Sequence, residues 1–169
     1  DIADLIQLCR HDQQEGTFTI ALAVALKKLG FEAVITSDIE TIKNADKVIF
    51  PGVGEASSAM KKLQERGLDA VIPNLKQPVL GICLGMQLMC NASEEGNTKA
   101  LGIFDCEVKL FPNSDIVPHM GWNNVSEMKG KLLENISETD NFYFVHSYFA
   151  EVGESTTSVC DYITPFSAT

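Results

Sequence analysis

Apolar residues along this chain fall into short clusters, and the stretches between several of them carry helical spacing. Residues 18–29, FTIALAVALKKL, predict a helix that is apolar round most of its circumference and stopped by Gly30. FEAVIT at 31–36 is short and β-branched, which predicts a strand. KVIF at 47–50 predicts a second, ended by Pro51. EASSAMKKLQER at 55–66 is amphipathic, begins acidic, ends basic and is followed by Gly67, in keeping with the helix dipole. PVLGI at 78–82 predicts a third strand, and LGMQLMCNA at 84–92 a helix. Strands alternating with helices in this way predict an α/β fold: a doubly wound, mostly parallel sheet with helices on both faces.

After about residue 100 the pattern changes. LGIFDCEVKLF, PHMGWNNVS and NFYFVHSYFAEV read as additional strands in the C-terminal half, with one short helical segment, KGKLLENI, among them. The first seventeen residues fit the scheme badly. DIADLIQLCR has apolar residues at 2, 5, 6 and 9, which is helical spacing, and HDQQEG is a polar break, so no opening strand is visible. Without a linker or an internal repeat, the expectation is a single domain over 1–169.

Composition narrows the function classes. No apolar run approaches the length that spans a bilayer. Asp1 and Asp4 stand where a secretory leader would be basic. The five cysteines (Cys9, Cys83, Cys90, Cys106 and Cys160) form no CxxC pair and are odd in number, which argues against a disulfide framework or a zinc site. A reducing, cytoplasmic setting is expected, with no metal or cofactor. A net charge of −10 argues against nucleic acid, because counterion release needs clustered Lys and Arg. Small molecules and protein partners remain.

The candidate chemistry sits at Gly81-Ile82-Cys83-Leu84-Gly85, a G-x-C-x-G pattern between a predicted strand and a predicted helix. That is the setting of a nucleophile elbow, in which a strained turn lifts the reactive atom above the sheet edge. Flanking glycines avoid a Cβ that would crowd the turn. The following helix N-terminus is expected to favour thiolate, and the Leu84 N–H to face an oxyanion. The pentapeptide alone leaves two uses open: this nucleophile, or an inert cysteine buried at a tight corner. Cys90, Cys106 and Cys160 are expected in the core. Pro51-Gly52-Val53-Gly54 also follows a strand and precedes a helix. A dinucleotide fingerprint would need glycine at position 57, where Ser57 stands, so completing an oxyanion hole is the better use of this loop.

Taken together, GICLGMQLM, FPGVG, PHMGWN, FVHSY and DYITPFSA resemble the triad-type (class I) glutamine amidotransferases, from about Leu26 onward, with 1–17 outside the resemblance. Within that family the pairing of PGVG with PHMGWN resembles one branch. Its ammonia serves a (β/α)8-barrel cyclase that makes imidazole glycerol phosphate in histidine biosynthesis. The resemblance implies a flavodoxin-like sheet. It also implies that Cys83 attacks the side-chain amide of glutamine, forming a glutamyl thioester and releasing ammonia. Leu84, Gly52 and Val53 would supply oxyanion-hole backbone, and the PGVG loop would reorient to do so. Gly54, Gln87, Glu95, His146, Ser147 and Tyr148 would bind substrate, Glu95 through the α-ammonium group and HSY mainly through its backbone. His119, Met120, Gly121, Trp122 and Asn123 would face the cyclase, although Trp122 could equally be core.

The family completes its triad with a His and a Glu in a QFHPE-like motif downstream of the DYI strand, and the 169 residues contain none. His11, His119 and His146 are the histidines present. Impaired turnover is therefore expected. Two alternatives stand beside the glutaminase: a catalytically inactive truncated variant that only binds a partner, and another cysteine-elbow amidotransferase or peptidase.

Overall fold

The computed structural model describes the backbone of residues 5–8 and 13–169, with side chains from residue 18 onward. The first sheet is parallel and is built from β1 (Leu5–Leu8), β2 (Ala33–Thr36), β3 (Lys47–Gly52) and β4 (Val79–Cys83) in the order β2-β1-β3-β4. Helix α1 (Gln13–Lys28) crosses from β1 to β2, and α2 (Ile39–Lys43) from β2 to β3. Helices α3 (Ala56–Glu65) and α4 (Leu68–Val71) join β3 to β4, and α5 (Leu84–Gln87) follows β4 without a gap.

The opening strand is thus present, against the expectation from its helical spacing. β1 pairs with β2 through Leu5–Leu8 and with β3 through Leu5–Gln7. Four residues are too few to separate strand from helix by periodicity, and interior parallel strands read as apolar runs without alternation. Pro51 does not end its strand either. β3 pairs with β4 through Pro51↔Ile82 and Gly52↔Cys83, so the strand runs past the proline to the glycine beside the cysteine. Leu84–Gln87 is also much shorter than the expected helix over 84–92.

Gly30 and Gly67 stop α1 and α3 as anticipated. Both adopt positive φ, and their N–H groups bond back to Lys27 and Gln64 respectively. Val48, Phe50, Met60, Leu63, Leu68, Leu84 and Leu88 form the core between β3 and the helices that follow it.

The C-terminal half holds the remaining strands: β5 (Ala92–Ser93), β6 (Thr98–Lys99), β7 (Glu107–Leu110), β8 (His119–Asn123), β9 (Phe142–His146), β10 (Tyr148–Ala150), β11 (Val159–Asp161) and β12 (Pro165–Ser167). Six of these form a sheet in the order β11-β12-β10-β7-β5-β6, while β8 and β9 pair separately as an antiparallel ribbon. The helical segment expected in KGKLLENI is a single 3-10 turn, Lys131–Leu133. Phe111, Val125, Phe149, Cys160 and Phe166 pack together beneath the ribbon strands' inner residues. Cys90 and Cys160 are buried as expected, whereas Cys106 is half-buried, with its sulfur 3.4 Å from that of Cys90. Among the described residues no helix is long and apolar enough to cross a membrane.

Candidate active site

The site is assembled by the pairing of β3 with β4. Their register runs Val48↔Val79 to Gly52↔Cys83, so the proline–glycine loop and the cysteine leave the sheet side by side at its carboxyl edge. Ligands of open α/β sheets collect at that edge. Cys83 has φ 56° and ψ −123°, a region that residues with a Cβ rarely enter. A residue held in this way at the junction of β4 and α5 has the geometry of a nucleophile elbow, and the side chain is exposed.

The flanking glycines are sterically required. A Cβ on Gly85 would lie 1.8 Å from the Phe50 carbonyl oxygen, and one on Gly81 would lie 2.7 Å from the Met86 Cα. Gly52 is equally tight, because a Cβ there would meet the Gly85 nitrogen at 2.8 Å. The turn after Cys83 therefore rests directly on the end of β3. Gly54 takes φ +97°, which lets the loop swing into α3. A cavity of about 30 Å³ lies beside this loop, lined in part by Pro51, Gly52, Val53, Leu84 and Leu88.

Electrostatics at Cys83 oppose the expected thiolate. Partial desolvation of the sulfur pushes the thiol above its ordinary value, the Leu84 N–H lowers it, and the negative charge of Glu95 raises it. The peptide dipole acts in the foreseen direction but is outweighed, in keeping with a helix of only four residues. Glu95 itself accepts a 2.8 Å hydrogen bond from the Ala56 N–H in the first turn of α3, so its carboxylate ties the PGVG side of the site to the segment after β5.

Gln87, at the end of α5, donates from Nε2 to the Tyr148 carbonyl at 2.9 Å. That carbonyl also receives His146 Nδ1 at 2.9 Å, and His146 Nε2 lies 3.0 Å from His119 Nδ1. The Ser147 carbonyl accepts from the Phe111 N–H. Gln87, His146, Ser147 and Tyr148 are thus brought together. Both imidazoles are held below their usual value, chiefly by burial. Neither ring is bonded to Cys83, and His11 lies outside the described residues.

The residues assigned to a partner divide by strand alternation. His119 is 2% exposed, stacked between Phe144 and Tyr162, so its side chain cannot face a partner as expected. Half-buried Asn123 points inward too, donating to the Asp161 carbonyl. Met120 and Trp122 point outward, 61% and 67% exposed, and Trp122 is therefore not core. Their cross-strand neighbours Val145 and Tyr143 extend the same face. The direct contact between the two histidines is not in the expectations. The period-2 pattern of PHMGWN and FYFVHSY, read against one another, carries the signal, since it places His119 and His146 on one face.

A strained cysteine elbow beside a glycine loop on a flavodoxin-like sheet is the arrangement of a thiol-dependent amidotransferase. The family model described as GATase, glutamine amidotransferase class-I, matches residues 13–166, and the chain belongs to that family. More narrowly, it is 58% identical over 147 residues to the imidazole glycerol phosphate synthase subunit HisH of Bacteroides fragilis strain YCH46, covering 85% of this chain and 75% of that protein. The HisH protein of Vibrio parahaemolyticus is 46% identical over 152 residues, covering 85% and 74%. Among solved structures, a glutamine amidotransferase superposes with a TM-score of 0.65 at 17% identity, covering 92% of this chain and 84% of that one. A putative GMP synthase component from Thermoplasma acidophilum gives 0.60 at 16% identity, covering 89% and 67%. These two support the fold alone.

Proposed function

We propose that the chain is a single glutamine amidotransferase domain that hydrolyses glutamine at Cys83 and passes the ammonia to a cyclase subunit in histidine biosynthesis, in the cytoplasm. The observation that carries this reading is the Gly52↔Cys83 register, which puts an exposed, strained thiol next to a loop of backbone N–H groups. In the proposed chemistry the sulfur of Cys83, its proton removed, attacks the amide carbon of glutamine. Charge moves onto the carbonyl oxygen, which accepts hydrogen bonds from the Leu84 N–H and from an N–H of Gly52 or Val53. The C–N bond breaks, ammonia leaves with the proton returned to it, and water then cleaves the thioester to glutamate. In this reading the Gly52-Val53 peptide turns so that its N–H faces the oxyanion. Gly54, Gln87, Glu95 and the His146-Ser147-Tyr148 backbone hold the substrate, Glu95 at its α-ammonium group.

The partner is a (β/α)8-barrel cyclase, docked on the outward face of the β8–β9 ribbon. Met120 and Trp122 with Tyr143 and Val145 form an exposed apolar patch, and large aromatics anchor interfaces. Neither described imidazole is placed to relay the proton of Cys83, so covalent capture of the thiol is a sharper test than turnover. A chloroketone analogue of glutamine should modify Cys83 ahead of Cys90, Cys106 and Cys160, and L-glutamine should protect it. Equal labelling of these thiols, or no protection, would overturn the reading; generic thiol electrophiles acting without glutamine protection would instead favour a peptidase-like enzyme.

A further inference from the structure

The hydrogen bonds around the Tyr148 carbonyl determine the proton positions of two histidines. A carbonyl oxygen only accepts, so His146 must carry its proton on Nδ1, which donates to it at 2.9 Å. Nε2 of neutral His146 is then an acceptor, and the nitrogen facing it, Nδ1 of His119 at 3.0 Å, must be the donor. That leaves Nε2 of His119 as an unprotonated acceptor. It is buried with no partner in hydrogen-bond geometry, the Asn123 side chain being the neighbour that acts on the ring. Burial keeps both rings neutral, in accord with this assignment. The same carbonyl binds Gln87 Nε2 at 2.9 Å, which fixes the orientation of that amide and leaves Oε1 as the end available to a ligand.

From this chain of bonds we infer that His119 and His146 are positioning residues, which lock the Tyr148 carbonyl and through it the Gln87 amide. The inference deepens the glutaminase reading and rests on it for the identity of the ligand. His119 is clamped by stacking on Phe144 and Tyr162, with ring centroids 5.1 and 4.0 Å away, so the relay is anchored in packed aromatics. It starts on β8, one residue before the outward-facing Met120, and ends on α5, four residues after the nucleophile.

Two measurements on the full chain test this. In the unliganded protein, nitrogen NMR of the imidazoles should find both rings in the Nδ1–H tautomer, and the Gln87 side-chain amide should shift in His146→Phe and return in His146→Asn. Asparagine keeps a donor where Nδ1 was, and phenylalanine keeps the ring packing against Phe111 and Phe166. In labelling by the glutamine chloroketone, His146→Phe should weaken reversible binding about tenfold while the limiting rate of alkylation stays within about twofold, as expected for a lost hydrogen bond that acts on binding. His146→Asn should restore the binding. His119→Phe, which retains the stack, should fall between them. A proton on Nε2 of His146, or a Gln87 amide indifferent to folded His146→Phe, would overturn the relay whatever the ligand. If wild-type Cys83 is not protected by glutamine while Gln87 still responds, the glutaminase reading fails and the relay stands.

Discussion

Cys83 is held at a backbone conformation suited to glycine, and that has a measurable cost. Cys83→Gly should unfold at higher denaturant than Cys83→Ala, by about 1–3 kcal/mol in chemical denaturation, because only glycine relieves the strain. Gly85→Ala should lose about 3 kcal/mol or more by the same measurement, its new Cβ driving into the Phe50 carbonyl. Glu95 contributes a negative charge that raises the thiol, so Glu95→Gln should move the pH profile of Cys83 alkylation to lower pH, with the amide oxygen still able to accept from Ala56. A tight strand–helix corner was legible in G-x-C-x-G, because its steric demands are written in the glycines, but the pentapeptide left a presented nucleophile and a buried cysteine equally open. The thiol's protonation was not legible, since it depends on desolvation and on a carboxylate twelve residues away that the fold brings near. Gln87 and Glu95 stand out only through the resemblance; no local pattern announces that one grips the Tyr148 carbonyl and the other accepts from the first turn of α3.

At the level of elements, α3 begins with a compact carboxylate cap. Glu55 accepts from Ser57 and Ser58, and these bonds lower its carboxyl to about 2 from an ordinary 4.5. A depressed acid of this kind stabilises the fold above its unfolded value. The contribution should fade as pH falls from about 4.5 toward 2. Comparing the denaturation midpoint of wild type and Glu55→Gln across that window should show a difference that narrows in acid. The amphipathic helix, its acidic start and its glycine stop were all readable, since periodicity over ten residues is a strong signal. β1 was not, because four residues give periodicity nothing to resolve, and its pairing to two neighbours is long-range information. Strands β7 to β10 fall within stretches that read as strands in sequence, whereas β5 and β6 do not, since Ala92 lies in the expected helix over 84–92 and two-residue pairings leave no pattern; the partition into a six-stranded sheet and a separate ribbon was not readable either.

On the scale of the molecule, the outside of the β8–β9 ribbon carries an apolar patch opposite the face that holds the histidine pair. Trp122→Ala should weaken association with the cyclase by about 2 kcal/mol or more, as a central aromatic anchor does. Its exposure means the isolated chain should keep its thermal midpoint, and calorimetric titration beside a melting curve would separate the two effects. The ladder that joins Val48–Gly52 to Val79–Cys83 has a further consequence for how such a chain can vary. Each rung is about 3.3 Å, so one inserted residue within β3 would carry the proline–glycine corner a full step past the sulfur and exchange the two faces of the strand. An insertion in a connection leaves that register alone, so the two corners behave as one rigid unit whose spacing is set by the ladder between them.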